Sequence, residues 1–217
     1  MSAEIVHLPL VPAFVQPLSD DRYRNLLGET GWRRLPADIR RRFSRHLASG
    51  EQIVYRGEVV GMALSRWGRL LAQVARIVGA PLPCTDGAVG PSVVVVTEDE
   101  RMGGQVWSRC YPRPGRFPQI VQSAKRFAGA TGLEEYLGFG LLMRLALVEE
   151  DGGLVFRSKS YALCIGRSRL TLPRFLTPGR CTVTHRSETD ARFSFTLTLD
   201  HPWLGRLVHQ VAFYDDP

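Results

Sequence analysis

Arg192-Phe-Ser-Phe-Thr-Leu-Thr-Leu199 decides the fold class. Phe193, Phe195, Leu197 and Leu199 fall on one side of an extended chain, and Arg192, Ser194, Thr196 and Thr198 on the other. A strand turns successive side chains to opposite faces, so this segment is a strand with one dry and one wet side. Similar segments surround it. Upstream lie 52–64, 92–98, 105–111, 119–127, 133–138, 141–149, 154–165, 169–172 and 181–187, and downstream lies 206–214. Glycine and proline punctuate the joins, as at Gly103-Gly104, Gly152-Gly153, Pro178-Gly179 and Pro202. Short strands at this spacing with no helices between them make an antiparallel meander. So many strands in one sheet curl or close. The expected class is α+β: a large curved antiparallel sheet or barrel, with two or three helices packed at one end.

The helices are expected before and within the first strands. Ser19 stands as an N-cap for residues 20–27, and Gly28 stops that helix. Pro36 suits the first turn of a second helix, in which Leu35, Ile39, Phe43 and Leu47 recur every four residues. Arg40, Arg41, Arg42 and Arg45 lie outside that stripe and read as a solvated face or an anion patch. A third helix over 66–78 carries Trp67, Leu70, Leu71, Val74, Ile77 and Val78 at helical spacing, with Arg66, Arg69 and Arg76 largely opposite. It is expected to cap the sheet, or else to lie on a membrane surface. Residues 1–18, broken by Pro9, Pro12 and Pro17, read as a proline-rich arm and a poor secretory signal; residues 19–217 read as one barrel-like domain.

Composition narrows the partners. Net charge is +7 and the isoelectric point is about 9.7, which favours phosphates, anionic lipids or acidic proteins. Basic residues are spread along the chain and no nucleic-acid-binding module is visible, so a nucleic-acid partner is not expected. Cys84, Cys110, Cys164 and Cys181 form no Cys-x-x-Cys pair and have no histidine at zinc-like spacing. Scattered cysteines suit a reducing compartment, so the protein is expected in the cytoplasm. No phosphate-binding glycine loop, nucleophile elbow or zinc-protease motif is present. Neither cofactor nor metal is expected, and no catalytic residues are assigned.

Two hairpins can be registered. Asp151-Gly152 is a strong two-residue turn. It sets Leu147 opposite Phe156, Leu145 opposite Ser158 and Met143 opposite Ser160. Arg144, Arg157 and Lys159 then share the other face as a weak anion site or a solvated basic one. At the C-terminus, Ser187 opposite Ala191 sets His185 against Phe193. Leu199 opposite Leu207 sets His209 against Leu197. Both histidines then lie on the apolar face, on the order of 16 Å apart, too far to share one metal. Each reads as a core residue or as a polar contact in a ligand cavity. The expected pocket comprises His185, His209, Ser158, Ser160, Phe193, Phe195 and Trp67, the last from a helix above the sheet.

Several stretches together resemble a bacterial family catalogued as a domain of unknown function, number 4166. They are Tyr23-Arg-Asn-Leu-Leu-Gly, Trp32-Arg-Arg-Leu-Pro, Val54-Tyr-Arg-Gly, the 70–83 segment ending Gly-Ala-Pro-Leu-Pro, Phe139-Gly-Leu-Leu-Met-Arg-Leu, Leu172-Pro-Arg-Phe-Leu and His201-Pro-Trp-Leu-Gly-Arg-Leu-Val. Some members are fused behind a saccharopine-dehydrogenase-like domain. The resemblance therefore implies a redox or lipid-metabolic context and a redox-domain partner, and carries over no catalytic residue. Three functions are expected: binding of an apolar or lipid-like small molecule inside the curved sheet, a cofactor-independent isomerase, cyclase or hydrolase in the same cavity, or a peripheral module on an anionic membrane surface.

Overall fold

A computed structural model describes residues 20–48, 50–77, 82, 89–99, 103–113, 115–166, 168–189 and 191–217. The proline-rich arm, the Ser19 cap, Cys84 and the end of the third expected helix lie outside the described residues. Among those described, four α-helices and eleven strands follow in the order α1 (Arg22–Leu27), α2 (Glu29–Arg34), α3 (Ala37–Phe43), β1 (Gln52–Leu64), α4 (Arg66–Ile77), β2 (Gly90–Asp99), β3 (Gly104–Arg113), β4 (Arg116–Arg126), β5 (Glu134–Gly138), β6 (Leu141–Glu150), β7 (Gly153–Ile165), β8 (Ser168–Thr171), β9 (Arg180–Thr189), β10 (Arg192–His201) and β11 (Gly205–Asp215). A short 3-10 turn, Arg174–Leu176, precedes β9.

All pairings are antiparallel. The sheet runs β6-β5-β4-β3-β2-β1-β11-β10-β9-β7-β8, and β6 also pairs with β7. The pairings form a ring of ten strands, in which β1 and β11, the first and last strands, lie side by side, and β8 is left as a flap on β7. Closure removes the unpaired edges an open sheet would expose. The eleven expected strands are all present, so the α+β reading holds in its coarser sense, as a mostly β barrel with a few short helices.

The helices hold two kinds of contact. The expected stripe of Leu35, Ile39, Phe43 and Leu47 is buried. Tyr23, Trp32, Leu35, Ile39 and Phe43 join Leu133, Met143, Leu145, Leu154, Phe156 and Tyr161 in one core cluster. Asp20, one residue after the expected cap, accepts the backbone N–H of Arg22 at 3.0 Å. The arginine face of α3 departs from expectation at Arg42. That residue is buried, with its guanidinium 3.7 Å from the centre of the Phe193 ring and 2.8 Å from the Asp216 carboxylate. The Phe193 ring and the Asp216 carboxylate replace part of its lost hydration, while its Nε and Nη1 are buried with no hydrogen-bond partner among the described residues.

α4 is inverted relative to expectation. Gly68, Ala72 and Ala75 are buried, whereas Trp67, Leu70 and Val74 are exposed. Ser65 donates its backbone N–H to the Leu207 carbonyl, and a Cβ at position 68 would stand 2.0 Å from that same oxygen. The backbone therefore approaches so closely that only small residues fit beneath the helix. The large apolar side chains are left outside.

Candidate interior site

The barrel interior is aromatic and carries a polar row. Tyr55, Val94, Trp107, Arg109, His185, Phe193, Phe195 and Tyr214 line a cavity of about 10 Å³, room for about one water molecule. Thus the side chains of the barrel largely fill it. His185 sits in a cage of rings. Its centroid lies 5.2 Å from Phe43, 5.4 Å from Phe195, 5.8 Å from Phe156, 5.9 Å from Phe193 and 6.3 Å from Trp107. Burial, and then the nearby charges of Arg42, Lys125 and Arg109, push the imidazole well below its ordinary pKa. It is a neutral ring. Its Nδ1 and the Trp107 Nε1 are buried and find no hydrogen-bond partner among the described residues.

Beside the cage runs a chain of ionisable groups. The Ser123 hydroxyl donates to Glu135 at 2.6 Å, and Arg109 donates to Ser123 at 3.2 Å. The Lys125 ammonium is 3.6 Å from the Glu135 carboxylate and 4.7 Å from the centre of the Trp107 ring. Burial lowers the Lys125 pKa, although Glu135 opposes it. Burial alone would raise Glu135, but Lys125, Arg109 and Ser123 together hold it below the ordinary carboxylate range. Burial also pushes the thiol of Cys181 up to about 12, so it is not a thiolate nucleophile.

The expected site residues separate. Phe193, Phe195 and His185 do line the cavity. His209 does not. β11 pairs with β10 as Leu199↔Val208, Leu197↔Gln210 and Phe195↔Ala212, after a bulge between Leu199 and Asp200. The bulge slips the register by one residue, which turns Gln210, Ala212 and Tyr214 inward and His209 outward. β9 is offset from expectation by two residues, Phe195↔His185 and Phe193↔Ser187, so its faces are kept.

In the β6–β7 hairpin the turn and the pairs Leu147↔Phe156 and Leu145↔Ser158 are as expected. A bulge at Lys159 then sets Met143 against Tyr161 and Arg144 against Ser160. Ser158 is used structurally, accepting the Cys181 backbone N–H at 2.9 Å. Ser160 leaves the apolar face for the one that carries Arg144. Trp67 is exposed on α4 and is absent from the cavity wall.

The basic trio also divides. Arg144 lies 3.6 Å from Glu134, which Arg169 holds at 2.8 Å, and Arg157 pairs with Glu150. Lys159 is exposed at the bulge. Two of the three expected anion ligands therefore already face carboxylates.

Lys125, Glu135, Arg109 and Trp107 escaped the sequence reading. Lys125 and Glu135 stand on β4 and β5 as direct partners, Lys125↔Glu135. Inward charge in the alternation of Val121, Ser123 and Lys125 is the one signal that would have found them. No group of three or more histidine, cysteine, aspartate or glutamate side chains that could hold a metal occurs among the described residues.

Residues 35–212 match the family described as Domain of unknown function (DUF4166). No curated protein and no solved structure matches the chain.

Proposed function

The chain belongs to the domain-of-unknown-function family DUF4166, whose description carries no activity, and from the barrel itself we propose that it binds a small molecule in its interior. The guest is a small apolar molecule with one hydrogen-bond acceptor, such as a carbonyl or carboxylate. One observation carries this reading. Two unpartnered buried nitrogens, Trp107 Nε1 and His185 Nδ1, line the same cavity as the Arg109 guanidinium. Buried polar atoms without a partner, of which the Trp107 indole N–H is a donor, cost stability unless a guest or water meets them.

At about 10 Å³ the cavity admits no lipid chain, so the guest enters by displacing side chains. Phe43 and Arg42 of α3 lie on His185 and Phe193. In this reading α1–α3 form the lid over one mouth, and α3 is the part that lifts. The half-buried free cysteines Cys110, Cys164 and Cys181 fit a reducing compartment, which supports a cytoplasmic place for the protein.

The test combines native mass spectrometry of the freshly purified protein with NMR of the Trp107 indole during titration with phenylacetate. A retained small molecule, or an indole shift that Arg109→Met abolishes, is expected. A protein that carries nothing and an indole signal that no small carboxylate moves would end the reading.

A second reading, acid–base catalysis in the same interior without a cofactor, is favoured by Lys125. A buried ammonium whose pKa is lowered, within 3.6 Å of a carboxylate, has the character of a catalytic base. Lys125 and Lys159 are the only lysines of the chain, so both can be titrated side-chain by side-chain. Lys125 is expected to titrate below the ordinary lysine range. A midpoint for Lys125 in or above that range removes this reading.

A further inference from the structure

We propose that the mouth of the barrel opposite α1–α3 docks onto an anionic lipid bilayer. The observations are independent of the interior site. α4 turns its small residues to the barrel and its large apolar ones, Trp67, Leu70 and Val74, to solvent. A free-standing soluble helix does the reverse. Arg66, Arg69 and Arg76 stand on a neighbouring exposed sector of the same helix. An exposed apolar stripe flanked by a basic face is the arrangement of a helix lying in the plane of a membrane interface.

The connections beside α4 continue the surface. The β10–β11 turn carries Trp203, 75% exposed, and the β3–β4 hairpin carries Phe117, 90% exposed. The 3-10 turn before β9 adds Phe175 and Leu176, both exposed. These segments lie at the same end of the barrel, the one at which β1, β3, β10 and β5 end. Leu71 and Leu82 pack on Leu199, Leu207 and Val208, and the Leu82 carbonyl accepts from Gln119 of β4. Arg180 pairs in register with Asp200, next to the Trp203 turn. Contiguous exposed aromatic and aliphatic groups mark an interaction surface, and tryptophan at loop tips suits the headgroup level of a bilayer.

Charge selects the bilayer as the occupant. Arg113, Arg116, Arg174, Arg180 and Arg206 stand on the same connections. Among the described residues Asp200 is the one carboxylate there, and Arg206 already holds it at 2.9 Å. The opposite mouth mixes the two signs: α1–α3 carry arginines such as Arg22, Arg33 and Arg42, and these face Asp20, Glu29 and Asp216, while Glu149, Glu150 and Asp151 stand at the β6–β7 turn. The molecule is therefore polarised, with one apolar and basic end. Near an anionic leaflet the arginines are drawn to the lipid headgroups, and the apolar tips insert.

The full chain should float with vesicles of phosphatidylcholine mixed with phosphatidylglycerol at low salt, and not with phosphatidylcholine alone. Raised salt should weaken the association. Trp67→Glu with Leu70→Glu should weaken it by about tenfold, equal to about 1.4 kcal/mol. Both positions are exposed, so folding is unaffected, and an unchanged circular dichroism spectrum verifies that. Separately, Trp203→Ser tests the neighbouring turn and should also reduce flotation. Failure to float at low salt overturns the proposal, as does flotation that neither variant reduces. So does a dimer in solution that the glutamate variant splits while vesicles go unbound, which would assign the surface to a second copy.

Discussion

His185 shows how a single side chain changes meaning between sequence and structure. In the sequence it is a titratable group on an apolar face; in the barrel it is a neutral ring among rings. Burial has removed the proton. The unfolded imidazole protonates near pH 6.5 and the folded one does not, so the unfolded state takes up protons first as pH falls. Stability is therefore complete above about pH 6.5 and declines below it, by up to about 1.4 kcal/mol per pH unit from this group. Urea denaturation of the wild type between neutral and mildly acidic pH should show this slope. In His185→Leu the slope should be shallower by one proton, whatever the absolute stability of the variant. Arg42 makes the complementary point: expected on a solvated face or in an anion patch, it lies buried between the Asp216 carboxylate and the Phe193 ring.

At the level of elements, α4 and the hairpins show what periodicity can and cannot read. The period correctly located the helix but assigned its faces by size, large apolar residues inward. The close approach of Gly68 to the Leu207 carbonyl reverses that assignment. Gly68→Ala should push the helix outward and cost about 1–3 kcal/mol as an overpacked contact, measurable as a lowered thermal midpoint. Ala substitution at exposed Gln73 should change stability little. In the β6–β7 hairpin the Asp151-Gly152 turn, with both residues at positive φ (49° and 74°), set the first pairs correctly. Bulges then redirected the remainder. One at Lys159 moved Ser160 to the other face, and one after Leu199 turned His209 out. A bulge has no dependable signature in one chain, because it adds a residue without breaking the alternation on either side.

For the whole molecule, what matters is closure and polarity. Pairing of the first strand, β1, with the last, β11, converts a meander into a barrel, which concentrates inward-facing groups from strands far apart in sequence. Trp107, Lys125 and Glu135 stand on the neighbouring strands β3, β4 and β5, and closure brings His185 of β9 to them. Closure also sorts the connections between two mouths, and so separates apolar, basic turns from those of mixed sign. By itself the sequence determined the strands, their antiparallel meander, the turn at Asp151-Gly152 and the inward Phe193 and Phe195, because those follow from local alternation and turn chemistry. Only the tertiary structure decided the cage around His185, the Lys125–Glu135 pair, the outward His209 and the outward face of α4. Each depends on register between distant segments, and a one-residue slip or a close backbone contact exchanges inside for outside without altering any local pattern.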